Sequence, residues 1–318
     1  YAVSSVNSAG NESLLSKKVS YLNSSLVATG NWKLASIPLN SGGIEAENAA
    51  VFSFHEQYNS VSSLEPAKGY WVKSKTYDDE NIPAKGQGLD QSSVQLYEGW
   101  NLIGSLADTI SVNSIADSSG ILTETPVFSY TDGAYQLADS LVPHKGYWIF
   151  ASDSGKVDLS VYIASAGQKE KKRKEEENKE SIRNFITLSS EGKTKKLWLA
   201  DSGLSREEKY PYYLPPFAPE PGLDIRTSAH QNIADRFPVK LHISAASFPV
   251  TIGLNDAGED SEYAYRLTVT DDKKQYLIDL LPGETHQITK ASAHYELTKV
   301  HMDDIITEPK LLPNYPNP

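Results

Sequence analysis

The sequence predicts an all-β protein, made of several small β-sandwich or β-barrel-like domains in series and joined by a charged linker. Three observations predict it. Short runs such as Trp32-Lys33-Leu34-Ala35-Ser36-Ile37 and Tyr147-Trp148-Ile149-Phe150 are aromatic or β-branched and bounded by Gly or Pro, which marks strands rather than helices. The composition agrees, with 18 tyrosines against one methionine, because aromatic side chains suit a pleated surface. The chain also repeats itself. Ser63-Leu64-Glu65-Pro66-Ala67-Lys68-Gly69-Tyr70-Trp71 matches Ser140-Leu141-Val142-Pro143-His144-Lys145-Gly146-Tyr147-Trp148 at seven of nine positions, and internal repetition on this scale signals duplicated structural units.

The elements follow in order. Tyr1, Val3 and, after a one-residue slip at Ser4-Ser5, Val6 are the apolar strand positions, and Ser8, Ala9, Gly10 and Asn11 supply turn chemistry, since Gly and Asn tolerate positive φ. A further strand is expected at about 14–21, which closes a first segment at 1–25. Each repeat then reads as a Trp strand, a variable loop, a Phe-Ser-aromatic strand and a Leu-x-Pro-x-Lys-Gly-Tyr-Trp strand. Trp32-Lys33-Leu34 parallels Trp100-Asn101-Leu102, and Val51-Phe52-Ser53-Phe54 parallels Val127-Phe128-Ser129-Tyr130. On these signatures the repeats span 26–97 and 98–163. Trp32 and Trp100 should occupy equivalent buried positions, as should Trp71 and Trp148. The run QKEKKRKEEENKE at 168–180 has no apolar face to bury, so 164–181 reads as a charged linker or short helix. Residues 182–306 read as one β-sandwich, with strands at 185–188, 196–199, 239–243, 250–254, 265–269 and 276–280. Inside it, Tyr210 to Pro221 carries five prolines, which force an extended course.

Composition excludes several function classes. The net charge of −11 argues against nucleic acid as a partner, because such binding rests on clustered Lys and Arg. No apolar run reaches the roughly 20 residues of a membrane-spanning helix. The absence of cysteine removes disulfides and thiolate metal sites. The seven histidines are scattered, with no His-Glu-x-x-His pair, and neither a Gly-x-Ser-x-Gly elbow nor a phosphate-binding Gly loop is present. Ser190-Glu191-Gly192-Lys193 matches a Ser-x-x-Lys string but falls in a Gly turn between strands. His242 alternates with Leu241 and Ile243 and reads as a solvent-facing strand residue.

Two candidate sites remain. Tyr70, Trp71, Tyr147 and Trp148 are candidates for a sugar-stacking platform, since flat rings stack on pyranose C–H faces and carry a polar handle. Neighbours in a strand point to opposite sheet faces, however, so one ring of each pair should be buried. Asp256, Glu259 and Asp260, with Asn255 and Gly258 in the same turn, are candidate ligands for structural calcium, which takes carboxylate and carbonyl oxygens from such loops. Asp and Asn also populate turns by bonding their own backbone.

The last residues carry a further motif. Leu311, Asn314, Tyr315, Pro316, Asn317 and Pro318 match the Leu-x-x-Asn-Tyr-Pro-Asn-Pro stretch that resembles the opening of the C-terminal sorting domain of type IX secretion in Bacteroidetes-type bacteria. The Tyr1–Ser13 hairpin resembles the end of a fibronectin type III domain. The repeats resemble the tryptophan-containing β-repeats of large type IX-exported proteins. The Tyr-x-Leu-Pro-Pro stretch leading to Leu223-Asp224-Ile225-Arg226 resembles the β-domain that precedes the sorting module. Asp108-Thr109-Ile110 and Asp139-Ser140-Leu141 resemble the O-glycosylation tripeptides of the same bacteria. These resemblances imply export through the periplasm to the cell surface or medium, the type IX machinery as a partner, and 307–318 as a linker into a sorting domain expected beyond Pro318. They also imply a larger parent protein.

Three functions follow as expectations. The first is a non-enzymatic structural, assembly or spacer region of a secreted or surface protein. The second is a carbohydrate- or protein-binding adhesin region, with surface proteins or glycans as partners. The third is the accessory region of a secreted hydrolase or peptidase.

Overall fold

The computed structural model describes residues 6–10, 21–40, 44–76, 78–162, 182, 184–255, 262–271, 274–292 and 294–305. The all-β reading holds, with 56% strand against 5% helix in several separate sheets. Two compact units divide the chain: Tyr1–Lys174 with Pro215–Glu220, and Glu175–Leu214 with Pro221–Pro318. The strands 1–5 and 11–20 of the N-terminal segment and the charged linker lie outside the described residues. Within it, Asn7 to Gly10 do form a turn, with the Gly10 N–H donating to the Asn7 carbonyl at 2.9 Å and Gly10 at φ 82°.

The first unit contains the repeats. Repeat one uses β1 (Tyr21–Ala28), β2 (Lys33–Ser36), β3 (Ile44–Glu45), β4 (Ala49–His55), β5 (Gln57–Val61), β6 (Ser63–Leu64), β7 (Gly69–Ser74) and β8 (Glu80–Gln87). Repeat two uses β9 (Gln91–Leu96), β10 (Gly99–Ile103), β11 (Ile110–Ser111), β12 (Phe128–Thr131), β13 (Ala134–Leu137), β14 (Ser140–Leu141), β15 (Tyr147–Ala151) and β16 (Gly155–Ser160). The sheet orders match element for element: β2-β7-β4-β5 against β10-β15-β12-β13, β1-β8 against β9-β16, and β3-β6 against β11-β14. The repeat boundaries therefore move. β1 pairs with β8 from Tyr21 onward, and β9 pairs with β16 rather than within repeat one, so the units run 21–87 and 91–160. The signature-based division began the second repeat at its Trp strand and the first at 26, inside β1, because the strand before each Trp strand carries no repeated letters.

Each repeat has its own apolar cluster. Leu26, Ile37, Leu64, Tyr70, Val72 and Ile82 belong to the first, and Leu96, Ile103, Leu141, Tyr147, Ile149 and Val157 to the second. The halves then interlock reciprocally. The Ser36 N–H donates to the His144 carbonyl at 3.0 Å, and the Gly104 N–H donates to the Ala67 carbonyl at 2.8 Å. Ala67 and His144, equivalent in the repeated signature, both adopt positive φ, 58° and 68°. Bridges Ala35↔Lys145 and Lys68↔Ile103 flank these bonds. The buried Ser36 hydroxyl adds bonds to the Lys145 carbonyl at 2.8 Å and to the Ser105 hydroxyl at 2.9 Å.

The repeated Gly is explained by the same crossing. A Cβ on Gly69 would lie 2.5 Å from the Ile103 carbonyl oxygen, and one on Gly146 would lie 2.9 Å from the Ala35 carbonyl oxygen. The strand of the opposite repeat passes where a side chain would start.

The second unit is a sandwich. One sheet orders β20-β18-β17-β22-β25, built from β17 (Asn184–Ser190), β18 (Lys193–Leu199), β20 (Ile233–Ala234), β22 (Val250–Asn255) and β25 (Thr285–Ile288). The other orders β19-β21-β26-β23-β24, built from β19 (Asp224–Thr227), β21 (Val239–Ser244), β23 (Tyr263–Asp271), β24 (Lys274–Leu280) and β26 (His294–His301). One cluster joins both sheets, with Ile186, Leu188 and Ile252 from the first and Leu241, Leu267 and Leu297 from the second. The turn Glu191-Gly192 connects β17 to β18 with φ of 51° and 77°, the two positive values that a tight hairpin turn demands. The Ser-x-x-Lys string at 190–193 is therefore turn chemistry. In β19 the fully buried Arg226 is held by Asp224 through Nε at 2.9 Å. Residues two apart share a strand face, which places this pair side by side.

Gly69→Ala and Gly146→Ala should each destabilise the first unit by about 1–3 kcal/mol through overpacking against backbone. Chemical denaturation followed by tryptophan fluorescence checks this, and wild-type stability in both variants would refute the crossing.

Candidate functional site

Of the aromatic positions singled out in the sequence, Trp71 and Trp148 meet the opposite repeat at the approximate two-fold axis that the reciprocal bonds define. Tyr70, Trp71, Tyr147 and Trp148 are 0–2% exposed. The platform reading is therefore corrected: all four rings are covered, whereas a sugar needs an open ring face. The alternation of the strand does send each pair to opposite faces, but both faces are packed. Tyr70 and Tyr147 enter the cores of their own repeats. Trp71 and Trp148 turn toward the axis, where each meets the other repeat edge-on. Trp71 lies 4.6 Å from Tyr130, and Trp148 lies 4.8 Å from Phe54, between ring centroids. Trp32 and Trp100 do occupy equivalent places beside Phe52 and Phe128, at 5.3 and 5.8 Å. They are only half-buried, which corrects the expectation of full burial.

Hydrogen bonding at this seam is uneven. The Glu65 N–H donates to the Tyr70 hydroxyl at 2.9 Å, and the Val142 N–H donates to the Tyr147 hydroxyl at 2.7 Å, so each tyrosine fastens the turn that precedes it. The Trp71 and Trp148 indole N–H groups are buried with no hydrogen-bond partner. Asn101, buried in the Trp-Asn-Leu segment, bonds the Tyr97 backbone in both directions, at 2.8 and 2.9 Å.

Two tyrosines that the sequence reading did not single out complete the site. Tyr58 and Tyr135 lie opposite Phe54 and Tyr130 in the hairpins β4-β5 and β12-β13. They sit 6.5 and 6.3 Å from Trp148 and Trp71 respectively. Their hydroxyls reach the segment Pro215–Glu220, which belongs to this unit. Tyr58 donates to the Phe217 carbonyl and Tyr135 to the Pro216 carbonyl, both at 2.5 Å. Pro215 is buried, and Lys73 forms an ion pair with Glu220. The hairpins differ in length by one residue, with Asp132-Gly133 at positive φ in the longer. The extra residue lies before the tyrosines, so the ungapped register that aligns Ser63 with Ser140 also aligns Tyr58 with Tyr135. A tyrosine closing each Phe-Ser-aromatic hairpin was the available signal.

The remaining candidates are placed as follows. Asp256, Glu259 and Asp260, and the sorting residues Leu311, Asn314, Tyr315, Pro316, Asn317 and Pro318, lie outside the described residues. His242 is exposed on β21, as the alternation implies, and stacks with His230 at 6.4 Å. It lines an open groove of ≈ 400 Å³ with Lys240, Thr268, His294 and Glu296. His286 stands on β25 in the other sheet. Among the described residues no group of three His, Asp or Glu side chains is arranged to hold a metal ion.

Burial pushes the Tyr70 hydroxyl up to about 12, against a smaller lowering by its bond from the Glu65 backbone, and burial raises Tyr147 as well. Ionisation is thus easier in the unfolded chain. The stabilising contribution is complete below pH 10 and is lost as pH rises from 10 toward about 12. Stability measured across that window should fall, and Tyr70→Phe with Tyr147→Phe should flatten the fall; an equally steep loss in the double variant would count against it. Trp71→Ala and Trp148→Ala should each cost about 3–5 kcal/mol, read by denaturant titration, and costs below 1 kcal/mol would deny the seam its structural role. No family model matches the chain, and neither the curated proteins nor the solved structures offer a match to it.

Proposed function

We propose that the chain is a non-enzymatic structural and assembly region, a spacer within a larger protein exported by type IX secretion to the cell surface or medium. The observation that carries this reading is the use made of the repeated residues. Leu64 and Leu141 are core, Ala67 and His144 give the reciprocal carbonyls, Gly69 and Gly146 admit the crossing strand, and Tyr70, Tyr147, Trp71 and Trp148 close the interior. What the chain has duplicated is a joint between two β-units, and among the described residues the duplicated positions include no convergent acid, base and nucleophile such as catalysis requires. The sorting-type motif at Leu311–Pro318 and the charge of −11 suit an exported, soluble region. The type IX machinery is the partner this reading implies. Structural calcium at Asp256, Glu259 and Asp260 remains part of the proposal on sequence grounds alone.

A spacer tolerates exchange. In the parent protein, replacing residues 21–160 with an unrelated β-domain of similar span should leave export and surface function intact. Loss of function while export persists would sink the spacer reading in favour of a specific binding role. Against peptide, ester and glycoside substrates the chain should show no turnover. Turnover abolished by substituting one of its own carboxylates or histidines would overturn the non-enzymatic reading.

A further inference from the structure

The segment Pro215–Glu220 lies in the first unit as a ligand lies in a groove. It belongs to the connection between β18 and β19, and between Leu214 and Ala218 it forms no regular structure. Its prolines fix φ and hold the residues before them extended, so little freedom remains to be lost when it is bound. The two hydroxyl donors grip successive carbonyls, those of Pro216 and Phe217. In an extended chain successive carbonyls project to different sides. A pair of tyrosines related by an approximate two-fold axis is thus suited to clasp such a chain from both flanks as it crosses the axis. Main-chain bonds from aromatic hydroxyls, beside indole rings and a buried proline, are the chemistry by which extended proline-rich peptides are recognised.

The groove also has a polarity. Lys73 follows Trp71 by two residues, and the equivalent position after Trp148 is Phe150. Of these two equivalent positions Lys73 is the cation, and it meets Glu220. The chain runs from Tyr135 at Pro216, past Tyr58 at Phe217, to Lys73 at Glu220. A peptide read this way is Pro-Pro-aromatic-x-Pro followed by an acid.

We propose that the aromatic groove at the pseudo-two-fold axis is a recognition site for extended proline-rich peptides of this pattern, occupied in the structure by the chain's own Pro215–Glu220. The site accepts the same sequence in trans once its own segment is displaced. This claim goes beyond the spacer role and does not depend on it.

The test uses the full chain with Pro215→Ser, Pro216→Ser and Pro219→Ser, which empties the groove, and a fluorescein-labelled synthetic peptide carrying residues 209–223. Anisotropy titration should show saturable binding to the emptied chain. Binding to the unaltered chain should be about 100-fold weaker, because a tethered competitor acts at high effective concentration. Adding Tyr58→Phe and Tyr135→Phe to the emptied chain should weaken binding about tenfold, the loss of two neutral hydrogen bonds. Failure of the peptide to bind a folded emptied chain at millimolar concentration would overturn the proposal, as would equal binding of a proline-free peptide of the same charge. Folding of that chain is read from its near-UV tryptophan signal. Where the signal is lost, the second readout is chymotryptic cleavage after Phe217 in the chain carrying only Tyr58→Phe and Tyr135→Phe. A rise of about tenfold in that rate is expected, and an unchanged rate overturns the proposal.

Discussion

The first unit depends on a pair of reciprocal hydrogen bonds, Ser36 N–H to the His144 carbonyl and Gly104 N–H to the Ala67 carbonyl. Both carbonyls belong to residues in the left-handed region, a conformation that costs an ordinary residue about 1–2 kcal/mol. The expense is incurred twice at equivalent positions, and in return each turn delivers its carbonyl to a strand end of the other repeat. Once that crossing is fixed, the neighbouring constraints follow. The residue two places on must be glycine, because the opposing backbone occupies the space of a Cβ. The tyrosine after it accepts the N–H of the turn's first residue, and the tryptophan after that is carried to the axis.

The tryptophan seam combines strong packing with incomplete hydrogen bonding. Two large rings at less than 2% exposure contribute heavily through buried area, while their two N–H groups lack partners. A buried unpaired donor is costly, so packing must exceed that cost on both sides of the axis. In the second unit the balance is reversed. There a charge is buried outright, and Arg226 is tolerated because Asp224 lies two residues away on the same strand face. Such a pair adds little net stability against an apolar alternative, but losing either member would strand the other. Neither unit satisfies every buried polar group, since Thr227 Oγ1, Asn232 Oδ1 and His286 Nε2 in the second also lack a hydrogen-bond partner.

Much of this was legible in the residues. The six strands expected in the sandwich all fall within observed strands, because alternation such as Val239-Lys240-Leu241-His242-Ile243 reports a sheet with one buried face. The repeat signatures pointed to the right strands and to the equivalence of Trp71 with Trp148. Less visible were the strands that carry no repeated letters. β1 is interrupted by Asn23-Ser24-Ser25, β9 is polar and serine-rich, and β26 interleaves Tyr295 and Leu297 with charged residues, so short-range pattern underrates them. The platform reading failed for a different reason. Strand alternation says which side a ring faces, but it does not say whether a second layer covers that side. The tyrosines of the groove stand in register with the repeated signature, but a tyrosine in a strand reads only as a sheet former, and its letter does not say that its hydroxyl bonds a segment distant in sequence.

The approximate symmetry of the first unit has a consequence for how such a structure can change. The reciprocal backbone bonds that join the halves are self-complementary, so two separate copies of one repeat could make them about a true dyad, as an isologous homodimer does. In such a dimer any substitution appears twice, and the seam stays the same from either end. Tethered in one polypeptide, the halves are released from that duplication. Lys73 stands where its counterpart is Phe150, and Asp132-Gly133 lengthens one hairpin and not the other. Covalent fusion is what allows a two-fold surface to acquire a direction.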